Sequence, residues 1–300
     1  MYDLIIVGAG PAGITATVYA ARKKMNFLVI SGDIGGQAAW SGDIENYTGY
    51  QFITGPDLTS KFEEHMRKYG VAVKEPENVI DLKRVGDKIV VKTDKGQYES
   101  RTAIIASGKK SRELSVPGEK EFKNRGLTYC ATCDGPLFTG KDVAVIGGGN
   151  SALDAVLQLT KIARRIYLIN MVSHLTGDPV MVEKAHESDI VTVMNNARVL
   201  SITGDGMVSG INVICDGEEK TLPVEGIFVE IGLTPNSHFA PDINKNAFGE
   251  IMVDCHNRTN IPGIFAAGDV TDVPEKQIII AAGEGSKASL SAFKYLNQHR

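Results

Sequence analysis

The sequence lacks the features that mark membrane proteins, nucleic-acid-binding proteins and small disulfide-stapled proteins. Its 300 residues include only four cysteines and one tryptophan, and the net charge is −4. No apolar run approaches the roughly 18 residues of a membrane span, and no basic face suggests nucleic-acid binding. A strand pattern starts at Tyr2, so we expect no signal peptide and a cytoplasmic protein. Cysteine pairs there serve redox chemistry.

The cysteines are also too few for a zinc site. Cys215 and Cys255 each follow a mainly apolar run, and neither has two further ligands at short spacing. We therefore predict no metal site and interpret both as small residues in strands.

What the chain does contain is a Cys-x-x-Cys pair, Cys130 and Cys133, followed directly by Asp134. Such a pair alone can be half a zinc site, a redox couple or an accident. Here a nucleotide-type βαβ unit begins within about ten residues. That setting favours a dithiol that exchanges electrons with a bound cofactor.

The chain begins with the pattern of a dinucleotide-binding unit. An apolar strand at residues 4–7 leads into Gly8-Ala9-Gly10-Pro11-Ala12-Gly13, then a helix pattern at 14–22 and a strand at 27–30. This is GxGxxG between strand and helix. Its glycines allow a tight turn, close approach of a pyrophosphate and close helix packing, while the helix N-terminus attracts phosphate.

The acid expected after the second strand, for ribose hydroxyls, is replaced by Ser31. Asp33 could substitute for it or could be a turn residue, and both interpretations stay open. The loops that follow are predicted to wrap a large flat ligand, because glycines allow close approach and amides offer donors and acceptors. They contain Gly35, Gly36, Gln37 and Asn46.

A second mononucleotide unit starts at residue 142. It has a strand at 142–146, the loop GGGNSA at 147–152, a helix and a strand at 165–169. The apolar face of the helix is predicted to consist of Leu153, Val156, Leu157 and Leu159. Two such units imply two dinucleotides, or one dinucleotide and a vestigial site.

The second strand of this unit ends without the usual nucleotide-selecting residues. The run from Asn170 to Gly177 has no arginine for a 2′-phosphate and no acid for an NAD ribose. Arg164 and Arg165 precede the strand, at its wrong end. The GGGNSA loop therefore either binds a nucleotide through unusual contacts or keeps its glycines for packing.

The C-terminal segment returns to the first unit. A strand near residue 265 ends in Gly268-Asp269, whose carboxylate could accept hydrogen bonds from a ribitol chain. Lys276-Gln277-Ile278 leads into a small-residue helix, whose N-terminus favours negative charge on a reduced flavin. We therefore predict an α/β protein with two Rossmann-like, three-layer nucleotide-binding domains, the second inserted in the first.

These motifs together resemble the low-molecular-weight thioredoxin reductase family from end to end. The matching pieces, in the family's order, are GAGPAG (8–13), GGQ (35–37), IENY (44–47), ASG (106–108), CATCDG (130–135), GGGNSA (147–152), IGLTPN (231–236) and FAAGDV (265–270).

The resemblance implies a homodimer with an FAD-binding domain at residues 1–112 and 245–300. The inserted NAD(P)-type domain, residues 113–244, would carry the cysteine pair. Cys133 would face the flavin, Cys130 would attack the disulfide of thioredoxin, and Asp134 would protonate the outgoing thiolate. The implied FAD contacts are Gly8, Gly10, Pro11, Ala12, Gly13, Ser31, Gly35, Gly36, Gln37, Asn46, Ala106, Gly108, Gly268, Asp269, Lys276, Gln277 and Ile278.

The sequence departs from this family at the donor site. Members that use NADPH carry a His-Arg-Arg…Arg signature where this chain has Asn170 to Gly177. It resembles the branch without NADPH specificity, one group of which takes electrons from reduced ferredoxin. We expect a thioredoxin reductase supplied by ferredoxin or another non-NADPH donor. An NADPH- or NADH-dependent reductase and a non-enzymatic flavin redox sensor remain alternatives, although the intact Cys-x-x-Cys-Asp favours catalysis over sensing.

Overall fold

The computed structural model describes residues 1–41, 43–44, 46–129 and 131–299, without the side chains of Asp43, Thr132 and Cys133. The chain folds into two compact units. Unit 1 consists of residues 1–110 and 234–300, and unit 2 of residues 111–233. Within the described ranges, no helix combines the length and apolarity needed to cross a bilayer.

The secondary structure alternates between strands and helices in both units. The helices are α1 (Pro11–Arg22), α2 (Gly55–Arg67), α3 (Glu119–Phe122), α4 (Ala131–Asp134), α5 (Asn150–Leu159), α6 (Pro179–Glu187) and α7 (Ile278–Gln298), with 3-10 turns at Gly36–Trp40 and Gly135–Phe138. The strands are β1 (Tyr2–Ala9), β2 (Phe27–Ile34), β3 (Asp43–Ile44), β4 (Ile53–Thr54), β5 (Val73–Lys74), β6 (Val79–Val85), β7 (Lys88–Thr93), β8 (Gln97–Ile105), β9 (Lys109–Ser111), β10 (Leu127–Thr128), β11 (Asp142–Ile146), β12 (Arg165–Ile169), β13 (Val191–Met194), β14 (Ala197–Asp205), β15 (Met207–Cys215), β16 (Glu218–Leu222), β17 (Gly226–Val229), β18 (Leu233–Pro235) and β19 (Ile264–Ala266).

Unit 1 is built on a seven-stranded sheet of order β5-β2-β1-β8-β7-β6, with β19 also paired to β8. The strands around β1 are parallel, and β6, β7 and β8 are antiparallel. Because side chains alternate along a strand, Leu4 and Ile6 pack on one face and Ile5 and Val7 on the other. Both faces of β1 are therefore buried, which explains its continuous apolar sequence.

Helices α1 and α7 of unit 1 pack closely because small residues line their contact. A Cβ added to Gly285 would overlap with the carbonyl oxygen of Ala12. Ala16 and Ala20 of α1 lie in the same buried cluster as Ala288 and Ala292 of α7. This close approach brings the C-terminal helix against the helix that starts at the glycine-rich loop.

Unit 2 contains a five-stranded parallel sheet of order β10-β17-β11-β12-β13 and a three-stranded antiparallel sheet, β14-β15-β16. Val143 and Val145 pack with α5 residues such as Leu153, while Ala144 and Ile146 face the opposite cluster. Both units therefore have the predicted Rossmann-like α/β organisation, and the second interrupts the first.

Most predicted elements have the expected positions. Strands β11 and β12 have the predicted bounds, whereas β2 continues past residue 30 to Ile34, so Asp33 lies in a strand and not in a turn. Cys215 is buried in β15, as predicted.

The prediction of a strand position for Cys255 is wrong. Cys255 is exposed in a turn. The Asp254 carboxylate accepts hydrogen bonds from the backbone N–H groups of His256 (2.8 Å) and Arg258 (2.9 Å). These bonds turn the chain and end the extended segment.

Candidate functional site

Two glycines of the first glycine-rich loop are required by the packing of unit 1 itself. Gly8 has a φ of +102°, and a Cβ there would overlap with the carbonyl oxygen of Ala106. A Cβ at Gly13 would overlap with the carbonyl oxygen of Gly8. These positions therefore need glycine whether or not a ligand binds.

Gly10 differs from its two neighbours. Its φ is −79°, which other residues adopt readily, and the atom nearest to an added Cβ is the Gly35 carbonyl oxygen at 3.9 Å. Gly10 is the residue just before α1, which begins with Pro11. The free N–H groups of the first helical turn create an anion-binding position there. The absent side chain leaves open space at that position.

The side chain of Ser31 braces this loop. Its hydroxyl accepts a hydrogen bond from the Ala9 N–H (3.0 Å) and donates one to the Asp33 carbonyl oxygen (2.5 Å). Ser31 is buried and the side chain of Asp33 is exposed. Ser31 thus connects the glycine-rich loop to the end of β2.

The segment after β2 lies directly against the glycine-rich loop. The Gly35 N–H donates to the Ala9 carbonyl oxygen (2.8 Å), and a Cβ on Gly36 would lie 3.3 Å from the Cα of Gly10. The Gln37 amide donates to the carbonyl oxygen of Lys109 (2.9 Å). The predicted Gly35-Gly36-Gln37 loop is therefore part of the same surface as Gly10.

A group of charged side chains continues from this surface. The Glu250 carboxylate bonds to the ammonium groups of Lys109 (2.8 Å) and Lys276 (3.2 Å) and to the Asn246 amide (2.6 Å). Burial opposes its ionisation, but these three donors prevail and lower the pKa of Glu250 to about 2. Glu250 is therefore ionised at neutral pH and fixes Lys109 and Lys276.

Asp269 lies between these lysines and α1. Burial raises the pKa of the Asp269 carboxyl, against the opposing charges of Lys276 and Lys109. Gly268 has a φ of +76°, and a Cβ there would lie 2.9 Å from the Cβ of Ala12. The predicted Gly268-Asp269 pair therefore packs against the first turn of α1.

The remaining predicted cofactor contacts adjoin the same region of unit 1. The Asn46 amide donates to the side-chain oxygen of Gln277 (3.1 Å), which caps α7. Ile278, the first residue of α7, packs against the small cluster around Leu58. Ala106 is buried beside Gly8, and Gly108 follows it with a φ of +63°.

The candidate catalytic residues lie in unit 2. Cys130 and the side chain of Cys133 lie outside the described residues. Asp134 is half-buried, and its carboxylate accepts a hydrogen bond from the hydroxyl of Thr128. Thr128 belongs to β10 and is buried, so the sheet of unit 2 fixes the acid that follows the cysteine pair.

The second glycine-rich loop has the same backbone conformation as the first. Gly149 has φ −95° and ψ −172°, close to the −79° and −172° of Gly10. The atom nearest to an added Cβ is the Thr176 hydroxyl oxygen at 3.9 Å. In contrast, a Cβ at Gly147 would overlap with the Glu230 carbonyl oxygen. Packing thus requires Gly147 and leaves Gly149 open.

Asn170 is committed to its own loop at the end of β12. It is 4% exposed, and its amide nitrogen lies within hydrogen-bond distance of the carbonyl oxygens of Val172 (3.0 Å) and His174 (2.9 Å) and the Asn195 side-chain oxygen (2.8 Å). A Cβ on Gly148 would overlap with the Asn170 side-chain oxygen. This side chain therefore supports the loop and is turned away from a ribose.

The nearby arginines lie at the opposite edge of the sheet, as predicted. Arg165 pairs in register with Asp142, the first residue of β11, while the two strands end together at Ile146 and Ile169. Arg164 forms an ion pair with Asp142 at 2.8 Å. A phosphate at the carboxyl edge would be about a strand length away from both arginines.

The sequence analysis missed four polar side chains at these two regions. Lys109 and Glu250 support the surface in unit 1, while Thr128 and Glu230 lie beside the CATCD segment in unit 2. Each acts through a partner that is distant in the chain or bonded through the backbone. The one available signal was the position of Glu230 directly after a buried apolar strand, where parallel sheets carry their functional residues.

Comparisons with known proteins agree with this architecture. A family model described as Pyridine nucleotide-disulphide oxidoreductase matches residues 2–285. The chain is 41% identical over 299 residues to a Bacillus subtilis (strain 168) protein named NADH dehydrogenase and, equally, to a protein of the alkyl hydroperoxide reductase of Staphylococcus aureus (strain MSSA476). The crystal structure of Lactococcus lactis thioredoxin reductase (FR conformation) has a TM-score of 0.88 and 34% identity, covering 99% of this chain and 100% of that one.

The curated relatives are longer than this chain. Each match covers 98% of this chain but 58% of the B. subtilis protein and 59% of the S. aureus protein. The chain therefore spans about six tenths of the length of the curated relatives it matches.

Proteins of that family, including the thioredoxin reductases, are FAD-binding flavoproteins, and unit 1 fits this cofactor. The open position at Gly10, before the N-terminus of α1, suits a pyrophosphate. Asp269 offers a partly buried carboxyl that could accept hydrogen bonds from a polyol chain. These residues, with the Gly35-Gly36-Gln37 loop and the start of α7, would hold FAD.

Proposed function

The chain belongs to the pyridine nucleotide-disulphide oxidoreductase family, and on that premise we propose that it is a flavin-dependent reductase of protein disulfides. Its redox pair is Cys130 and Cys133, and its disulfide substrate is thioredoxin. The observation that carries the proposal is the placement of Asp134, which directly follows the pair and is held by Thr128. An accidental cysteine pair or half of a zinc site has no use for a fixed carboxylate at this position.

In this proposal the unit that contains Gly10 and Asp269 is the FAD domain. The unit that contains Cys130 is the inserted NAD(P)-type domain. Two copies of the chain form a homodimer, which sedimentation of the FAD-loaded protein tests.

The chemistry is thiol–disulfide exchange. FAD, when bound, supplies two electrons to the Cys130–Cys133 disulfide. The Cys130 thiolate then attacks the disulfide of thioredoxin and forms a mixed disulfide, displacing one thioredoxin thiolate. The Cys133 thiolate attacks the Cys130 sulfur, which releases thioredoxin as a dithiol and restores the Cys130–Cys133 disulfide.

Asp134 serves this exchange as a proton carrier. Each reduction of a partner disulfide moves two protons from the enzyme's thiols to the partner's sulfurs. A carboxylate directly after Cys133 can protonate an outgoing thiolate and recover the proton from an enzyme thiol. The hydroxyl of Thr128 holds the carboxylate in place for both steps.

The electron donor in this proposal is reduced ferredoxin rather than NADPH. At the carboxyl edge of the sheet in unit 2, Asn170 is committed to its own loop, and the next residues are apolar. Met171 is 71% exposed and Val172 46% exposed. A bidentate arginine–phosphate contact is worth roughly 1.5–3 kcal/mol, or about one to two orders of magnitude in affinity. NADPH lacks that contact here.

NADH is the second candidate donor. The observation in its favour is the 41% identity to the B. subtilis protein named NADH dehydrogenase. The observation against it is that Asn170 supplies no carboxylate for the two ribose hydroxyls.

Anaerobic mixing of the oxidised, FAD-loaded protein with each donor tests the proposal. Reduced ferredoxin should bleach the flavin, two ferredoxins being consumed for each two-electron reduction, while micromolar NADPH should act slowly. Oxidised thioredoxin added afterwards should yield one dithiol for every two ferredoxins. Rapid bleaching by micromolar NADPH would refute the donor proposal. A bleached flavin with no thioredoxin reduction would refute the reductase itself and favour a redox sensor.

A further inference from the structure

Two glutamates flank the central strand β17 of unit 2 at opposite ends. Glu225 precedes the strand, is exposed, and its N–H donates to the Asp142 carbonyl oxygen (2.8 Å). Glu230 follows the strand, is half-buried, and its N–H donates to the Ile146 carbonyl oxygen (2.8 Å). Only the carboxyl end of β17 therefore places a glutamate beside the second glycine-rich loop.

The Glu230 side chain contacts the backbone of the redox motif. Its carboxylate accepts a hydrogen bond from the N–H of Ala131, a buried residue in the CATC segment. Ala131 follows Cys130 directly in the chain and precedes Cys133 by two residues. A charge on Glu230 is therefore bonded to the peptide group that joins Cys130 to Ala131.

The surroundings of Glu230 make its ionisation sensitive near neutral pH. Burial raises the pKa of the Glu230 carboxyl to about 7, the Ala131 N–H opposes this shift, and the Asp154 carboxylate on α5 adds to it. The other ionisable groups of this region are the thiols of Cys130 and Cys133, which belong to the same segment as Ala131. Glu230 thus changes charge in the pH range in which a thiol begins to ionise.

We propose that Glu230 is a positioning residue of the Cys130–Cys133 pair, holding the segment through the Ala131 N–H and controlling through its own charge how readily the neighbouring thiols ionise. This inference rests on the proposed function, because it takes this pair to be the redox pair. A neutral Glu230 leaves thiolate formation unhindered. An ionised Glu230 repels a nearby thiolate and suppresses its formation by roughly threefold to tenfold at an intermediate dielectric constant.

Thiol alkylation as a function of pH tests the inference without any donor or thioredoxin. The reduced, FAD-loaded protein is treated with iodoacetamide between pH 6 and 8. Tryptic digestion then places both motif cysteines in one peptide, residues 126–141, for mass spectrometry. The exposed Cys255 lies in a different peptide and serves as an internal reference.

The decisive comparison is between Glu230→Gln and the natural protein. Glutamine keeps a hydrogen-bond acceptor but cannot ionise, so the ratio of alkylation rates, variant over natural, should be about 1 at pH 6. It should rise to roughly threefold to tenfold at pH 8. Glu225→Gln is the matched control at the other end of β17 and should give a ratio of about 1 throughout.

A second variant reports on Glu230 while leaving it in place. Asp154→Asn removes a negative charge that raises the pKa of Glu230, so the suppression of alkylation should begin at a lower pH than in the natural protein. This measurement keeps the test decisive if Glu230→Gln fails to fold or to retain FAD.

Two results would overturn the inference. One is a Glu230→Gln profile that coincides with the natural one. The other is a profile that differs by the same factor at every pH, as general loosening of the segment would produce. Failure of the proposed function is a separate result, because it shows as an absence of thioredoxin reduction by the natural protein, whatever the alkylation profile.

Discussion

Substitution of Gly10 should remove FAD without unfolding the protein. The backbone φ of −79° is acceptable for any residue, and the nearest protein atom to an added Cβ is 3.9 Å away. A side chain at this position intrudes where the pyrophosphate approaches the N-terminus of α1. If it costs one charge-assisted hydrogen bond, the loss is roughly 1.5–3 kcal/mol, or about tenfold to a hundredfold in FAD affinity. We expect a larger loss in Gly10→Val than in Gly10→Ala.

Two further loop glycines provide the contrast that makes this prediction sharp. Gly8→Ala and Gly13→Ala each place a Cβ in overlap with a backbone carbonyl oxygen, so they should lower thermal stability even in apoprotein. Gly149→Val, at the equivalent position of unit 2, should leave FAD content unchanged. The assay is flavin absorbance per chain together with thermal unfolding followed by circular dichroism. A Gly10→Val protein with a full complement of FAD would refute the assignment of the phosphate site.

The other predictions concern stability, catalysis and donor choice. The lowered pKa of Glu250, about 2, stabilises the fold fully above the unfolded pKa near 4.5, and this stabilisation is lost as the pH falls towards 2. Glu250→Gln should thus lower the stability to urea at pH 7 by up to about 3 kcal/mol, and the difference should shrink below pH 4.5. Cys130→Ser should abolish turnover, and Cys133→Ser should leave a thiol that traps thioredoxin as a mixed disulfide, detectable by non-reducing electrophoresis. Normal thioredoxin reduction by either variant would contradict the dithiol mechanism. Arginines at the exposed Met171 and Val172 should raise the rate of flavin reduction by NADPH at least tenfold and leave the rate with NADH unchanged.

The features predicted correctly from the sequence are those with a local signature. A glycine-rich turn between an apolar strand and a helix is encoded within about ten residues, so both nucleotide-type units could be located directly. The placement of Arg164 and Arg165 at the wrong edge followed from the direction of a parallel strand alone. The buried position of Cys215 likewise followed from its apolar run.

The features that could not be predicted depend on partners distant in the chain. Glu250 bonds to Lys109, 141 residues earlier, and no periodic pattern links the two. Cys255 follows an apolar run, but the carboxylate of Asp254 captures two backbone N–H groups and turns the chain. The residue type at position 31 suggested a ribose contact, whereas its hydroxyl bonds to the backbone at Ala9 and Asp33.

The two glycine-rich loops show why loop geometry alone does not establish nucleotide binding. In unit 2, packing against Glu230 and Asn170 accounts for Gly147 and Gly148, so these glycines would be required without any ligand. Gly149 is the position that packing leaves unexplained. If ferredoxin is the donor, Gly149→Val should leave the rate of flavin reduction unchanged. If NADH binds at this loop, the same variant should slow reduction by NADH at least tenfold, the loss of one phosphate contact. Anaerobic stopped-flow measurement with both donors therefore decides between the two, and slowing with NADH would make unit 2 a working nucleotide domain.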